Sequence, residues 1–180
     1  GRIFLYTRNG KPYFQVSGNG IPGNINLTPA TWYHFVCTRN SAGYGTVFIN
    51  GQAVSSPAYL NMDPPPNVTV TIGLLLRAKY GFCGDISDVR IWNTARSQTD
   101  IQSLMNTRLT GSENGLIHYW PFDEGMGSTV TDKAGSAHGT ITGATWSISS
   151  EGPFISQTGA WIVLPGGNWS DAANWFNGII

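Results

Sequence analysis

The sequence predicts an all-β fold: a two-sheet antiparallel β-sandwich with one short helix. Three observations predict it. Short apolar runs of alternating pattern recur along the chain, Gly/Pro/Asn turn signals separate them, and one stretch alone has helical periodicity. At 180 residues there is room for one full domain and part of another.

The elements follow in order. "RIFLYTR" and "KPYFQVS" are strands joined by Asn9-Gly10, the strongest short hairpin signal. A Gly/Pro/Asn loop leads to the strand "TWYHFVCTR", and "GTVFIN" and "QAVSS" flank a second such turn, Asn50-Gly51. "NMDPPPN" is an exposed loop, because consecutive prolines neither enter a helix nor donate to a sheet. "VTVTIGLLL" and "FCGDISDVRIW" are strands. In "SQTDIQSLMN", Ser97 and Asp100 hold capping-box positions, and Ile101, Leu104 and Met105 form a packing stripe. "GLIHYWPFDEG" and "AHGTITGATW" are further strands, and from about residue 149 Ser, Gly and Thr dominate. The expected division is one domain over residues 1–148, then a linker and the start of a further β segment over 149–180.

Composition narrows the function. Ten basic and ten acidic residues cancel, only 11% of residues are charged, and neither sign is expected to accumulate. That removes the electrostatic basis for binding nucleic acid or an anionic membrane. No apolar run of about 18 residues occurs, so no membrane insertion is expected. No signal peptide is visible, and the strand-like sequence at residue 1 suggests a chain cut from something longer. Polar uncharged residues and scarce Lys suit a secreted or surface protein. Cys37 and Cys83 both lie in strand-like runs. They fit either two buried thiols or one inter-strand disulfide in an oxidising compartment, and no Cys/His cluster suggests zinc.

Asp85 and Asp88 in "GDISDVRIW" are the carboxylates to weigh for catalysis. Strict alternation places Asp85 with Ser87, Val89 and Ile91, and Asp88 with Ile86, Arg90 and Trp92 on the opposite face. A retaining glycosidase needs its two carboxyl groups about 5 Å apart, which opposite faces do not provide. Asp88 and Arg90, two apart, instead make a partly exposed ion pair. His34, His118 and His138 are scattered, and no Ser or Cys has a nucleophile-elbow setting. The chain is therefore expected not to be an enzyme.

Four segments in order carry a resemblance: "TWYHFVCTRN", "GTVFINGQAV", "FCGDISDVRIWNTARSQTDIQ" and "GLIHYWPFDEGMGSTVTDKAGSAHGTITGATW". Between residues 31 and 146 they resemble the laminin G-like jelly-roll domains of the bacterial concanavalin A-like superfamily. The resemblance implies a jelly-roll sandwich in a larger extracellular bacterial protein, serving as a non-catalytic binding or adhesion module for a glycan or an extracellular protein. The alternatives are a structural spacer or assembly subunit at a cell surface, and an accessory domain of a polysaccharide-degrading enzyme. The usual opening strands of such domains are not found, so an open edge is expected beside "FCGDISDVRIW" or "TWYHFVCTR". It would be completed by the parent chain, by strand pairing with a neighbouring domain or subunit, or by residues 115–122. The tail from Trp161 more weakly resembles short Trp/Asn segments of large bacterial surface proteins.

The resemblance also implies a structural Ca²⁺ at the rim. The candidates are Asp123 and Asp132, on Gly-rich turns, with Asp63 a poorer one. Both would serve equally as plain turn formers, since Asp accepts from local backbone amides. For sugar binding the candidates are the loop tyrosines Tyr44, Tyr59 and Tyr80, with Trp169 and Trp175 in the tail; Trp32, Trp92, Trp120 and Trp146 read as core. Asn26-Leu27-Thr28, Asn67-Val68-Thr69 and Asn168-Trp169-Ser170 match the glycosylation pattern, which in a bacterial protein is usually chance.

Overall fold

The computed structural model describes residues 3–16, 18–61, 69–75, 80–147, 161–163 and 175–176, the last two segments and residues 74, 75 and 80 by backbone alone. It is a mostly β structure of several antiparallel sheets with one short helix, as a concanavalin A-like sandwich requires. Asp63, Asn67, Asn168 and Trp169 lie outside the described residues.

The first sheet is a meander of β1 (Ile3–Arg8), β2 (Lys11–Val16) and β3 (Asn19–Pro22). Asn9 and Gly10 both have positive φ (52° and 72°), the backbone that a two-residue turn needs to match strand twist. A second sheet holds β4 (Phe35–Arg39), β5 (Tyr44–Ile49), β6 (Gln52–Ala53) and β7 (Ala58–Tyr59). Its Asn50-Gly51 turn repeats the same left-handed pair, at φ 50° and 73°. Ile3, Leu5, Phe14, Val16 and Ile21 of the first sheet meet Cys37, Val47, Ile49, Val54 and Leu60 of the second in one buried cluster. Strand alternation supplies that face from each side. Gly45 lies where the sheets close most tightly: a Cβ there would stand 2.5 Å from Leu60 and 3.0 Å from Ile21 and Phe14.

"TWYHFVCTR" becomes a strand only at Phe35. β4 pairs β5 on one side and no other described strand. The short pair β8 (Leu74–Leu75) and β9 (Tyr80–Gly81) follows; from the run before it, Val70 and Ile72 pack on a second buried cluster.

"FCGDISDVRIW" is two strands, β10 (Asp85–Ile86) and β11 (Val89–Trp92). Asp88 between them takes φ 56°, the left-handed region. Two expectations are corrected here. Asp85 and Asp88 do not share one continuous strand, and the kink resets the alternation. Ile86, Val89 and Ile91 all enter the second cluster with Trp120, Phe122 and Val130. The Asp88–Arg90 ion pair forms, but it is nearly buried, each side chain only 9% exposed. Arg90 also donates to the carbonyls of Leu104 (2.8 Å) and Thr107 (2.6 Å), and the Tyr119 hydroxyl donates to Asp88 at 3.1 Å.

The helix α1 (Gln98–Leu104) starts where its capping box predicts. Ser97 Oγ accepts from Asp100 N, and Asp100 accepts from Ser97 N. Ile101 is buried and Leu104 packs on a third cluster with Trp92, Leu109, Leu116 and Tyr119. β12 (Leu116–Trp120) pairs β11, so residues 115–122 do cover that edge. Then come β13 (Thr129–Val130), β14 (Gly139–Thr140) and β15 (Thr145–Ser147). From the 149–180 stretch, β16 (Trp161–Val163) pairs β10 and β15, and β17 (Trp175–Phe176) pairs β1.

Of the two alternatives for the cysteines the disulfide is overturned: both are free thiols. Cys37 is fully buried in the first cluster, where burial pushes its thiol pKa up. Cys83 is half-buried between β9 and β10, outside the first cluster.

Arg90→Ala would leave the nearly buried Asp88 carboxylate without its cation. We expect a loss of about 3–5 kcal/mol, measured by urea denaturation, with Arg90→Lys recovering only part of it.

Candidate functional site

The hairpin between β4 and β5 builds the exposed aromatic site. Arg39 ends β4, Asn40 to Gly43 turn the chain, and Tyr44 opens β5. Asn40 closes the turn twice, its backbone N–H donating to Tyr44 O and its side-chain oxygen accepting from Tyr44 N at 3.0 Å. β7 returns alongside so that Tyr59 stands directly opposite Tyr44. The two rings meet edge to face, centroids 5.6 Å apart at 65°, a favoured geometry for aromatic quadrupoles. A Cβ on Gly43 would come within 2.7 Å of Tyr59, so the ring lies on bare glycine backbone. Gly43 has φ 85° as well, so turn geometry and ring contact both call for glycine.

Tyr44 is 47% exposed and Tyr59 57%, among the few large hydrophobics so placed in the described residues. Tyr80 lies on β9 and its side chain is outside the description; Trp175 is placed only as a β17 residue. The structure thus joins two of the three candidate tyrosines. Reading the sequence alone missed Gly43 and Asn40, although the "RNSAGY" turn next to an aromatic was their signal. Trp92 and Trp120 are core, Trp146 packs against the second cluster, and Trp32 is only half-buried.

Asp132 is a different kind of site. Its side chain is completely buried, and its two oxygens face a ring of donors. Oδ1 accepts from Tyr119 N (2.9 Å), Ala134 N (3.1 Å) and Gly135 N (2.9 Å); Oδ2 accepts from Ala137 N (3.0 Å) and pairs with His118 Nδ1 at 2.6 Å. A Cβ on Gly135 would lie 2.7 Å from that carboxylate. Burial opposes the charge, but the bonds from Tyr119, His118, Gly135 and Ala137 outweigh it and hold the carboxyl at about 2. His138 joins by accepting from Asp132 N, and His118 stacks on Trp120 at 5.3 Å. Asp123 is salt-bridged by Arg108 (2.9 Å) and Lys133 (2.7 Å). Both aspartates therefore do turn and pairing chemistry with their own chain. Among the described residues no group of three His, Cys, Asp or Glu is placed to hold a metal ion.

The three histidines are only partly scattered. His118 and His138 both meet Asp132, and among the described residues neither bonds a Ser or Cys. His34 stands apart, where burial and then Arg90 pull its pKa down to about 4. Asp85 accepts from Ser147 Oγ at 3.2 Å, whereas Asp88 is engaged by Arg90 and Tyr119. Among the described residues the two carboxylates share no partner.

A family model described as the concanavalin A-like lectin/glucanases superfamily, of laminin G type, matches residues 1–102, and the chain belongs to that superfamily. The last of the four resembling segments, 115–146, lies beyond this match. Comparison with curated proteins finds no match. Among solved structures, the chain is similar to a "putative carbohydrate binding protein" from Bacteroides ovatus. The two are 20% identical with a TM-score of 0.58, over 77% of this chain and 46% of that one. The chain thus spans less than half of that protein's length, and the likeness is one of fold.

Two acid-sensitive groups have separate windows. The folded state keeps His34 neutral below its ordinary 6.5, so its contribution is present above pH 6.5 and lost as pH falls towards about 4. Asp132 stays ionised below its ordinary 3.8; its contribution, about 2 kcal/mol, is present above that value and lost as pH falls towards about 2. Asp132→Asn is expected to flatten the lower limb of a stability–pH curve and His34→Gln the upper. Calcium at Asp123 or Asp132 would have to displace the donors named above. The melting temperature is therefore expected to stay unchanged in EDTA and in millimolar calcium, and a rise in calcium would restore the metal at those turns.

Proposed function

We propose that this domain is a non-catalytic glycan-binding module of an extracellular protein, with Tyr44 and Tyr59 as its sugar-stacking platform. One observation carries the reading: two exposed rings are locked in place by each other and by Gly43, on a rigid strand pair. The apolar C–H face of a sugar ring stacks on such an aromatic surface, and a platform ordered before binding loses little entropy on binding. The superfamily membership and the fold shared with the Bacteroides ovatus protein support the ligand class. A role in adhesion at a bacterial surface follows from the same reading.

Titration of neutral oligosaccharides, β-linked glucose and galactose oligomers among them, followed by tyrosine fluorescence, tests it. Tyr59→Ala is expected to weaken binding about tenfold without moving the melting temperature. Undiminished binding would remove the platform, and binding by no oligosaccharide would remove the neutral-glycan reading.

A second reading, assembly by strand addition, is favoured by the β4 edge, which no described strand covers. It expects light scattering to show concentration-dependent association, abolished by a proline at Phe35, whose N–H points away from β5.

A further inference from the structure

The zero net charge conceals a division along the chain. Residues 1–62 hold Arg2, Arg8, Lys11 and Arg39 and no Asp or Glu; all ten acidic residues lie from Asp63 onward. The expectation that neither sign accumulates therefore fails for the segment that forms the first two sheets. Two of these cations, Arg8 and Lys11, stand directly opposite each other where β1 and β2 meet the Asn9-Gly10 turn. Like charges in direct register oppose strand pairing, and neither residue has an ion pair among the described residues.

The same face continues as a ladder. Ile3, Leu5, Phe14 and Val16 point into the core, so alternation turns Phe4, Tyr6, Arg8, Lys11, Tyr13 and Gln15 to the other side. Tyr6 and Tyr13 are register partners and stack, centroids 5.2 Å apart at 23°. Phe4 faces Gln15 one step further on. On β3, Gly20 leaves the flank of Tyr13 open, since a Cβ there would reach only ordinary contact at 3.8 Å.

We infer that this outer face of the first sheet is a binding site for an anionic glycan. Arg8 and Lys11 take one carboxylate or sulfate between them, the Tyr6–Tyr13 ridge packs against the sugar ring, and Gln15 hydrogen-bonds a hydroxyl. The bound anion removes the repulsion between the two cations, which an arginine can hold in bidentate fashion. The distribution of charge selects this ligand class. Nucleic acid needs cations that track successive phosphates, and an anionic membrane needs a cluster of about four to eight. One pair at one end of an aromatic ridge matches one acidic group on a sugar. The inference rests on the glycan-binding reading only for its ligand class, and it uses a face separate from Tyr44 and Tyr59.

The test is calorimetry on the full chain with a sulfated heparin hexasaccharide and with oligogalacturonate, against a neutral β-glucan oligomer. Arg8→Gln/Lys11→Gln is expected to weaken the anionic probe about tenfold or more, to flatten its salt dependence, and to leave the neutral one unchanged. Gly20→Glu, which adds an acid beside Tyr13, should have the same effect. Tyr44→Ala/Tyr59→Ala should spare the anionic probe, which separates this site from the proposed platform. A response to the sulfated probe alone, or to oligogalacturonate alone, supports the site and identifies the anion. Binding of neither, undiminished binding in the Arg8/Lys11 variant, or equal binding of single-stranded DNA or phosphatidylserine vesicles overturns it.

Discussion

The second half of the molecule depends on the left-handed turn at Asp88. A β-strand sends successive side chains to opposite faces, so an unbroken strand through residues 85–92 would separate Ile86 from Val89 and Ile91. Asp88 at φ 56° breaks that parity and brings all three into one core. The conformation is unfavourable for a residue with a Cβ, although Asp tolerates it better than most. Its carboxylate is then held by the Arg90 ion pair and the Tyr119 hydroxyl. Desolvation pushes the Asp88 carboxyl up, while Arg90 and Tyr119 act against it. Through Arg90 the same centre reaches the helix end at Leu104 and Thr107, and through Tyr119 it reaches β12.

Asp132 organises the chain's next stretch by a comparable use of a buried carboxylate. Four backbone amides and His118 converge on it, so the loop after β13 is fixed to β12 without a large apolar contribution of its own. Buried charge is costly unless its lone pairs are matched, and here they are. A carboxylate used in this way is committed to its own backbone. Among the described residues the exposed aromatic side chains, Tyr44 and Tyr59, lie elsewhere, on the second sheet.

The first sandwich, formed by the first and second sheets, divides its surfaces by chemistry. Besides aliphatic side chains its interior holds Phe14 and Cys37, with Tyr33 and Phe35 packed against them. One end carries the Tyr44–Tyr59 pair, and the outer face of the first sheet carries stacked tyrosines and two cations without an ion pair among the described residues. The acidic residues, with their Arg and Lys partners, belong to the later part of the chain. The ion pairs among the described residues thus fall on other segments than the proposed binding faces.

Sequence by itself determined the features set within a few residues. The Asn9-Gly10 and Asn50-Gly51 hairpins, the Ser97–Asp100 cap and the alternating strands of the first sandwich follow from local backbone preference and short-range hydrogen bonds. Tyr44 and Tyr59 were legible as exposed aromatics, but that they touch required β7 to fold back beside β5. Asp123 and Asp132 were legible as turn residues or metal ligands, and the choice lay with donors as distant in sequence as Arg108 and His118. Only Cys37 joined a core, and both cysteines stayed free thiols. The faces of residues 85–92 were misassigned because alternation assumes an unbroken strand. Only the tertiary partners Arg90 and Tyr119, and the core that Val89 and Ile91 enter, make the break at Asp88 favourable. Local rules fix a residue's own backbone; what a side chain meets depends on segments that arrive from elsewhere in the chain.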